Sequence, residues 1–164
     1  MESTELAVRV VLIGIGATVV MDLWGMVQKA LGMPTLGYAL VGRWAGHLRR
    51  GKLTHANIGR AEPIAGESAL GWTIHYAVGL AFAALLVRIQ GPAWLRDPTW
   101  LPALAVGLAT VVMPFFVMQP AMGAGFAASR TPTPWKNRLR SLVTHAVFGC
   151  GLYLSAALLT LVWN

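Results

Sequence analysis

The sequence predicts an all-α polytopic membrane protein, with four transmembrane helices arranged as two related hairpins and one short interfacial amphipathic helix. The chain has 164 residues, of which 56% are hydrophobic and 12% are charged, whereas soluble domains carry about 25% charged residues. Its mean hydropathy is +0.61. This composition indicates a bilayer environment, and the length indicates a single membrane domain, residues 1–164.

Four apolar runs are long enough to cross the hydrocarbon core, which requires about 20 helical residues. They cover approximately Leu6–Ala30, Ala69–Val87, Leu101–Met122 and Leu142–Trp163. Each run must be helical, because backbone groups find no water inside a bilayer. Pro114 is expected to kink the third helix and to free the Thr110 carbonyl, since proline has no N–H to donate.

The distribution of Lys and Arg predicts the orientation. Spans one and two are connected by a segment that, with the end of span one, carries six basic residues. The segment between spans three and four carries four more, and only three lie on the opposite side. The positive-inside rule places both basic segments in the cytoplasm and both termini outside. The net charge of +7 is therefore attributed to membrane orientation, and no nucleic-acid partner is expected.

A short basic helix is predicted in the first cytoplasmic segment, over residues 40–50. Apolar side chains recur there at i, i+3 and i+7: Val41, Trp44 and Leu48. Another face is basic: Arg43, His47 and Arg50. This pattern is typical of a helix in the headgroup region. Its expected role is contact with anionic lipid headgroups at the cytoplasmic face, and a regulatory or partner-binding role is the alternative.

Two short motifs occur twice and suggest an internal repeat. Ala-Thr-Val-Val-Met occupies residues 17–21 and again residues 109–113. His-x-x-x-Gly occupies residues 75–79 and residues 145–149. The order of the motifs predicts related halves at about 6–90 and 98–164. A parallel repeat of this kind implies a pseudo-two-fold axis along the membrane normal, which argues against an inverted-repeat transporter.

Polar residues inside the spans predict a buried cluster on the cytoplasmic side. Asp22, His75 and His145 each share a helix face with small residues, which let membrane helices approach closely. The expected cluster contains five residues: Asp22, His75, His145, Thr18 and Gln119. The same small-residue faces are compatible with a homodimer.

Several roles for this cluster stay open. A charged Asp in mid-membrane costs about 2.5–3.5 kcal/mol, so Asp22 is expected to serve a purpose. It can accept a hydrogen bond from His75 or His145 and only hold the helices together, in a structural or accessory subunit. It can instead handle protons, ions or small solutes, since histidine titrates near neutral pH.

A cofactor or a catalytic role is the remaining alternative for the cluster. His75 and His145 are candidate ligands of a metal or haem, although no helix carries paired ligands four residues apart. An acid/base pair acting on a lipid or quinone is a further alternative, but the chain has no nucleophile elbow, metalloprotease helix or kinase loop. The sequence therefore favours a protein that is not an enzyme, and it identifies no cofactor.

A glycine-rich bend after the third span is a candidate anion site. Gly123, Gly125, Ser129 and Arg130 follow one another closely, and glycine-rich backbone beside an arginine can hold a phosphate. The alternative is a helix end with small packing residues, because the Lys-Ser/Thr ending of a P-loop is absent.

Four motifs carry a resemblance to a known family. They are Met21-Asp22-Leu23-Trp24, residues 57–71 with the Pro-x-x-Gly-Glu of residues 63–67, residues 119–125 and residues 128–132. Over nearly its whole length the chain resembles bacterial four-span inner-membrane proteins that are grouped as a domain of unknown function. The resemblance implies an inner-membrane protein of a Gram-negative bacterium and no particular activity. It also marks residues 119–132 as a second place to search for a site.

Overall fold

The structure is a computed structural model that describes residues 2–163, and it confirms the all-α class. No β-strand occurs within those residues. The α-helices are α1 (Ser3–Ala30), α2 (Tyr38–Leu48), α3 (Glu67–Gln90), α4 (Trp100–Ala109), α5 (Gln119–Met122) and α6 (Pro134–Trp163). Short 3₁₀-helices cover Ile58–Arg60, Pro92–Leu95 and Phe126–Ala128, and a π-helix covers Pro114–Met118.

Four helical segments are long and apolar enough to cross a membrane, as predicted. They are Ser3–Ala30, Glu67–Gln90, Trp100–Met122 and Pro134–Trp163. The last begins at Pro134 instead of Leu142, because lysine and arginine are good helix formers and the helix continues beyond the apolar run. Proline suits the first helical position, where its missing N–H costs nothing.

The third span is interrupted close to the predicted position. Helix α4 ends at Ala109, with Thr110 as its C-terminal cap. The chain continues as the π-helix that starts at Pro114, and then as α5. A proline inside a helix removes one hydrogen-bond donor and clashes with the preceding turn, and π-turns accommodate such irregularities.

The chain packs as two compact units. Unit 1 comprises the residues up to Met33, Tyr76–Thr110 and the residues from Val143, and unit 2 comprises Pro34–His75 and Val111–Leu142. The predicted halves at about 6–90 and 98–164 are divided differently, and the internal repeat stays a prediction.

Close helix contacts through small residues characterise unit 1. A Cβ atom added at Gly79 would overlap the Thr18 hydroxyl, and one added at Gly107 would overlap the backbone of Gly149. Large side chains such as Ile13, Leu86 and Leu152 fill the core beside these contacts. The predicted small-residue faces therefore serve contacts between helices of one chain.

Unit 2 is built around α2 and the first turns of α3. A Cβ atom at Gly42 would overlap the Glu67 carbonyl, and one at Gly71 would overlap the Tyr38 carbonyl, so the two helices cross in close contact. Val41, Ile58 and Met122 form the core of this unit.

The basic face predicted for α2 is only partly exposed. The Arg43 side chain pairs with Glu67, and His47 is 5% exposed. The Arg50 side chain, just beyond the helix, is 66% exposed. Contact of this helix with anionic lipid stays a prediction, and Arg43 and His47 contact other protein groups.

Candidate functional site

Asp22 and Tyr76 form a polar contact between two of the helices of unit 1 that are apolar enough to cross a membrane. The Tyr76 hydroxyl donates to Oδ2 of Asp22 at 3.0 Å. Asp22 lies on α1 and Tyr76 on α3, and both are half-buried. The contact provides the acidic side chain with a donor in a region where unpaired polar groups are costly.

Thr110 and His145 form a second polar contact in unit 1. Oγ1 of Thr110 lies 2.7 Å from Nδ1 of His145 and donates to the Gly107 carbonyl at 2.6 Å. A hydroxyl has one proton, and Thr110 directs it to the Gly107 carbonyl. Oγ1 of Thr110 must therefore accept from the Nδ1–H of His145. This assignment leaves Nε2 of His145 as a hydrogen-bond acceptor.

The five predicted cluster residues are distributed over both units. Thr18, Asp22 and His145 belong to unit 1, and His75 and Gln119 to unit 2. Thr18 is fully buried and donates to the Gly14 carbonyl at 2.7 Å. The His75 ring stacks on Tyr38 with 4.0 Å between centroids. A single cluster of all five stays a prediction.

Sequence reasoning missed the partners of two cluster members. The donor to Asp22 is Tyr76, which is adjacent to the predicted His75. Thr110 occupies the same place in the Ala-Thr-Val-Val-Met motif as Thr18, and that repetition was a usable signal.

A cavity of ≈ 490 Å³ in unit 2, here called the basic cavity, includes part of the predicted anion site. Its lining residues are Thr54, His55, Ala56, Pro120, Gly125, Phe126, Ser129 and Arg130. Gly125, Ser129 and Arg130 of the predicted anion site are thus brought together. Gly123 does not line the cavity but contacts the Ala56 backbone so closely that a Cβ atom would overlap it.

The cavity loop has an unusual backbone. Gly123 and Gly125 have φ values of 98° and 74°, and Ala127 and Ala128 have values of 45° and 59°. Each left-handed alanine costs about 1–3 kcal/mol, and such strain tends to occur at functional sites. Hydrogen bonds maintain the conformation, including Nε of Arg138 to the Ala127 carbonyl at 2.8 Å.

Arg130 contributes positive charge to the basic cavity. Its side chain is exposed, and within residues 2–163 its guanidinium forms no salt bridge. The backbone N–H of Arg130 donates to the Ala124 carbonyl at 2.9 Å, and this bond holds the residue at the cavity wall. The guanidinium therefore remains available to a ligand.

Two buried histidines lie next to the cavity. Nδ1 of His47 is 2.7 Å from Nε2 of His55, and Nε2 of His47 is 3.0 Å from the Glu62 carbonyl. His55 lines the basic cavity, and His47 lines a smaller cavity of ≈ 200 Å³ with Arg50, Lys52 and Glu62. Burial, followed by the charges of Lys52 and His47, lowers the pKa of His55.

This histidine pair was not predicted. The helical pattern assigns His47 to a basic face in the headgroup region, but the side chain is buried because that face of α2 is partly covered within unit 2. His55 lies in a loop with no motif around it. Its position depends on a long-range hydrogen bond from its backbone N–H to the Ala121 carbonyl at 2.8 Å.

No group of three or more His, Cys, Asp or Glu side chains is placed to hold a metal ion in the described part of the chain. A metal or haem site at His75 and His145 stays a prediction, with no side-chain cluster to support it.

Comparison with known proteins gives a family match. A family model described as "Protein of unknown function (DUF2938)" matches residues 11–159. No curated protein and no solved structure matches the chain significantly. The match covers all four membrane-capable segments in whole or in large part, together with both loops of the basic cavity.

Proposed function

Because the chain belongs to the DUF2938 family of proteins of unknown function, we propose its function from geometry: it binds the anionic group of a small compound in the basic cavity. The group is a phosphate, sulfate or carboxylate. The supporting observation is that Arg130, which forms no salt bridge among residues 2–163, lines a cavity of ≈ 490 Å³ together with Thr54 and Ser129. A protein with four helices that can cross a membrane would then present this cavity to a membrane-associated or cytoplasmic compound.

The chemistry of the lining suits an anion. An arginine guanidinium presents several N–H donors in a planar fork that matches phosphate and carboxylate oxygens. Charge-assisted hydrogen bonds of this kind are roughly twice as strong as neutral ones. The volume lies within the range of about 300–1,000 Å³ that is usual for small-molecule pockets. The cavity therefore has room for more than the anionic group itself.

The anionic group can come from a soluble compound or from a lipid headgroup. Phe126 lines the cavity, is 63% exposed, and has its ring centroid 6.4 Å from that of Phe116. Phe116 lies on the third membrane-capable segment and is 56% exposed. Two exposed aromatic rings continuing from the cavity onto that segment support a ligand with an apolar tail.

The proposed location follows from the distribution of charge. The segments that form the basic cavity carry most of the Lys and Arg, so we place them on the cytoplasmic side, with both termini outside. The inner membrane of a bacterium is the proposed compartment. Anionic headgroups are abundant on the cytoplasmic leaflet.

Calorimetric titration of the detergent-purified protein with sulfate tests the proposal. We expect saturable binding, and we expect Arg130→Gln to weaken it at least about tenfold, since a hydrogen bond to a charged group contributes about 1.5–3 kcal/mol. Arg60→Gln is the matched control, because Arg60 is also exposed in unit 2 but does not line the cavity. Equal affinity of the two variants would contradict the proposal.

A second arm identifies the source of the anionic group. Nanodiscs containing phosphatidylglycerol or phosphatidylcholine are compared for lipid retained by the purified protein. Phe126→Ala should reduce retention of the anionic lipid without changing sulfate affinity if the ligand is a lipid. Retention that is the same for both lipids and insensitive to Phe126→Ala would point to a soluble anion.

Proton or ion handling at Asp22 is the second candidate function. The Asp22–Tyr76 hydrogen bond favours it, because an ionisable pair within membrane-spanning helices is a usual part of a proton relay. The competing proposal is a structural or accessory subunit in which the same pair only joins two helices.

A further inference from the structure

The geometry of the histidine pair fixes where its protons lie. The Glu62 carbonyl can only accept, so Nε2 of His47 carries a proton. A neutral imidazole has one N–H, which makes Nδ1 of His47 an acceptor. Nε2 of His55, 2.7 Å away, must then be the donor to it.

This arrangement leaves one nitrogen without a partner. When both rings are neutral, Nδ1 of His55 is a bare lone pair, because its ring proton is on Nε2. That atom is buried and has no hydrogen-bond partner among residues 2–163. The residue itself is 7% exposed and lines the basic cavity. A buried polar atom of this kind calls for a ligand or a proton.

The surrounding charges oppose that proton while the cavity is empty. The titratable and charged groups that face His55 are His47, Lys52 and Arg130. Those beside His47 are Arg50, Lys52 and Glu62. Positive charge dominates this set, so a second proton on His55 is unfavourable until an anion enters. An anion beside Arg130 would offset this positive charge and make a proton on His55 less unfavourable.

We propose that anion binding in the basic cavity takes up one proton from solvent, on Nδ1 of His55. The inference rests on the proposed function and adds its regulation. The proton adds to the Nδ1 lone pair, the ring changes from neutral to singly positive, and the Nε2–H to His47 is retained. The negative charge of the anion offsets the positive charge that the ring gains.

Proton-coupled binding has a defined pH dependence. At any pH where His55 is neutral in the anion-free protein and charged in the anion-bound protein, affinity for the anion rises about tenfold for each unit of decrease in pH. Phosphate and carboxylate probes titrate themselves. Sulfate remains doubly charged over the whole range, so any proton uptake belongs to the protein.

Calorimetry measures the uptake directly. Sulfate is titrated into the full-length protein at one pH near neutrality, in two buffers with different enthalpies of ionisation. The difference between the observed enthalpies, divided by the difference between the ionisation enthalpies of the two buffers, gives the number of protons bound per sulfate. We expect a value close to one for the wild type, and a value close to zero for His55→Gln, which keeps a donor towards His47.

A spectroscopic measurement on the unaltered chain covers the case in which His55→Gln does not fold. The ¹⁵N shifts of labelled histidines distinguish imidazole from imidazolium. Sulfate is added at a pH at which the sulfate-free protein shows only neutral imidazole signals. It should convert one histidine to imidazolium. Sulfate binding without this change would overturn the inference.

The two proposals fail in different ways. Sulfate that binds with no proton uptake and with constant affinity from about pH 8 to about pH 6 would refute proton coupling and leave the anion site intact. Failure of sulfate to bind at any pH would refute the anion site and, with it, the coupling. Uptake that persists in folded His55→Gln would assign the proton to another group and overturn the role of His55.

Discussion

Arg43 and Glu67 are joined by two parallel hydrogen bonds. Nε of Arg43 donates to Oε2 of Glu67 at 2.8 Å, and Nη2 donates to Oε1 at 2.7 Å. Nη1 of Arg43 also reaches the Ala61 carbonyl at 3.0 Å, and Oε2 of Glu67 accepts from the backbone N–H of Ile64 at 3.1 Å. This one pair therefore connects α2, the segment after the 3₁₀-helix Ile58–Arg60, and the start of α3.

Replacing Arg43 with Lys should lower the melting temperature of the purified protein. A lysine retains the charge but cannot form both bonds, since its ammonium lacks the planar fork. Arg43→Ala should lower the melting temperature further, because it leaves the Glu67 carboxylate without its partner. Arg50→Lys is the control, because Arg50 lies 3.9 Å from Glu62 and is exposed. Equal melting temperatures for Arg43→Lys and the wild type would show that the fork is dispensable.

Gly107→Ala should destabilise unit 1 by about 1–3 kcal/mol, the usual cost of overpacking. A Cβ atom there meets the Gly149 backbone, which cannot move without separating two helices. Gly25→Ala is a matched control on α1, where a Cβ atom meets nothing within 4 Å. The control should be neutral or slightly stabilising, because alanine is favoured over glycine in a helix. Thermal unfolding in detergent compares the two, and a reversed order would contradict the packing.

The predictable parts of the fold are those that local sequence determines. Each membrane span is a continuous apolar run, so its helix follows from the absence of water around it. The break near Pro114 follows from one missing N–H. Gly125, Ser129 and Arg130 lie within six residues, so their grouping at the basic cavity was predictable from proximity in the chain.

The opposite wall of the cavity was not predictable. Two contacts hold Thr54 and His55 there. One is the hydrogen bond from the His55 backbone N–H to the Ala121 carbonyl, and the other is the close contact of Ala56 with Gly123. These contacts join positions more than sixty residues apart, and no periodicity or motif encodes them. The burial of His47 likewise depends on the packing of unit 2, which a helical pattern alone does not reveal.

Asp22→Asn distinguishes proton handling from a structural role. If Asp22 relays protons, we expect the variant to fold with an unchanged melting temperature and to lose proton flux, because an amide cannot carry the proton. Flux is measured in proteoliposomes with an internal pH-sensitive dye. If Asp22 only joins two helices, proton flux is absent from the wild type as well, and the melting temperature of the variant falls.

Tyr76→Phe is the companion to that experiment. It removes the 3.0 Å hydrogen bond to Asp22 and keeps the aromatic ring, so the expected loss is about 0.6 kcal/mol, an average for hydrogen bonds between membrane helices. A wild-type flux that survives in Tyr76→Phe and disappears in Asp22→Asn would assign the proton to the carboxylate. No change in flux or stability in either variant would exclude both roles for Asp22.

Acidification should destabilise the protein through His55. Burial, Lys52 and His47 hold the pKa of His55 below its ordinary value, which is about 6.5 in an unfolded chain. Between those two pKa values the unfolded chain binds more protons than the folded one, so stability rises with pH. The contribution is fully present above about pH 6.5 and is lost as the pH falls through the folded pKa.

Melting temperatures of the wild type and His55→Gln, measured across this pH range, isolate the effect from that of the other histidines. The wild type should lose more stability on acidification than the variant. Sulfate should return the lost stability to the wild type. Sulfate acts in this way because a bound anion favours the protonated form of His55, so its stabilising effect on the wild type should grow as the pH falls. A sulfate effect of constant size would mean that His55 and the anion do not interact.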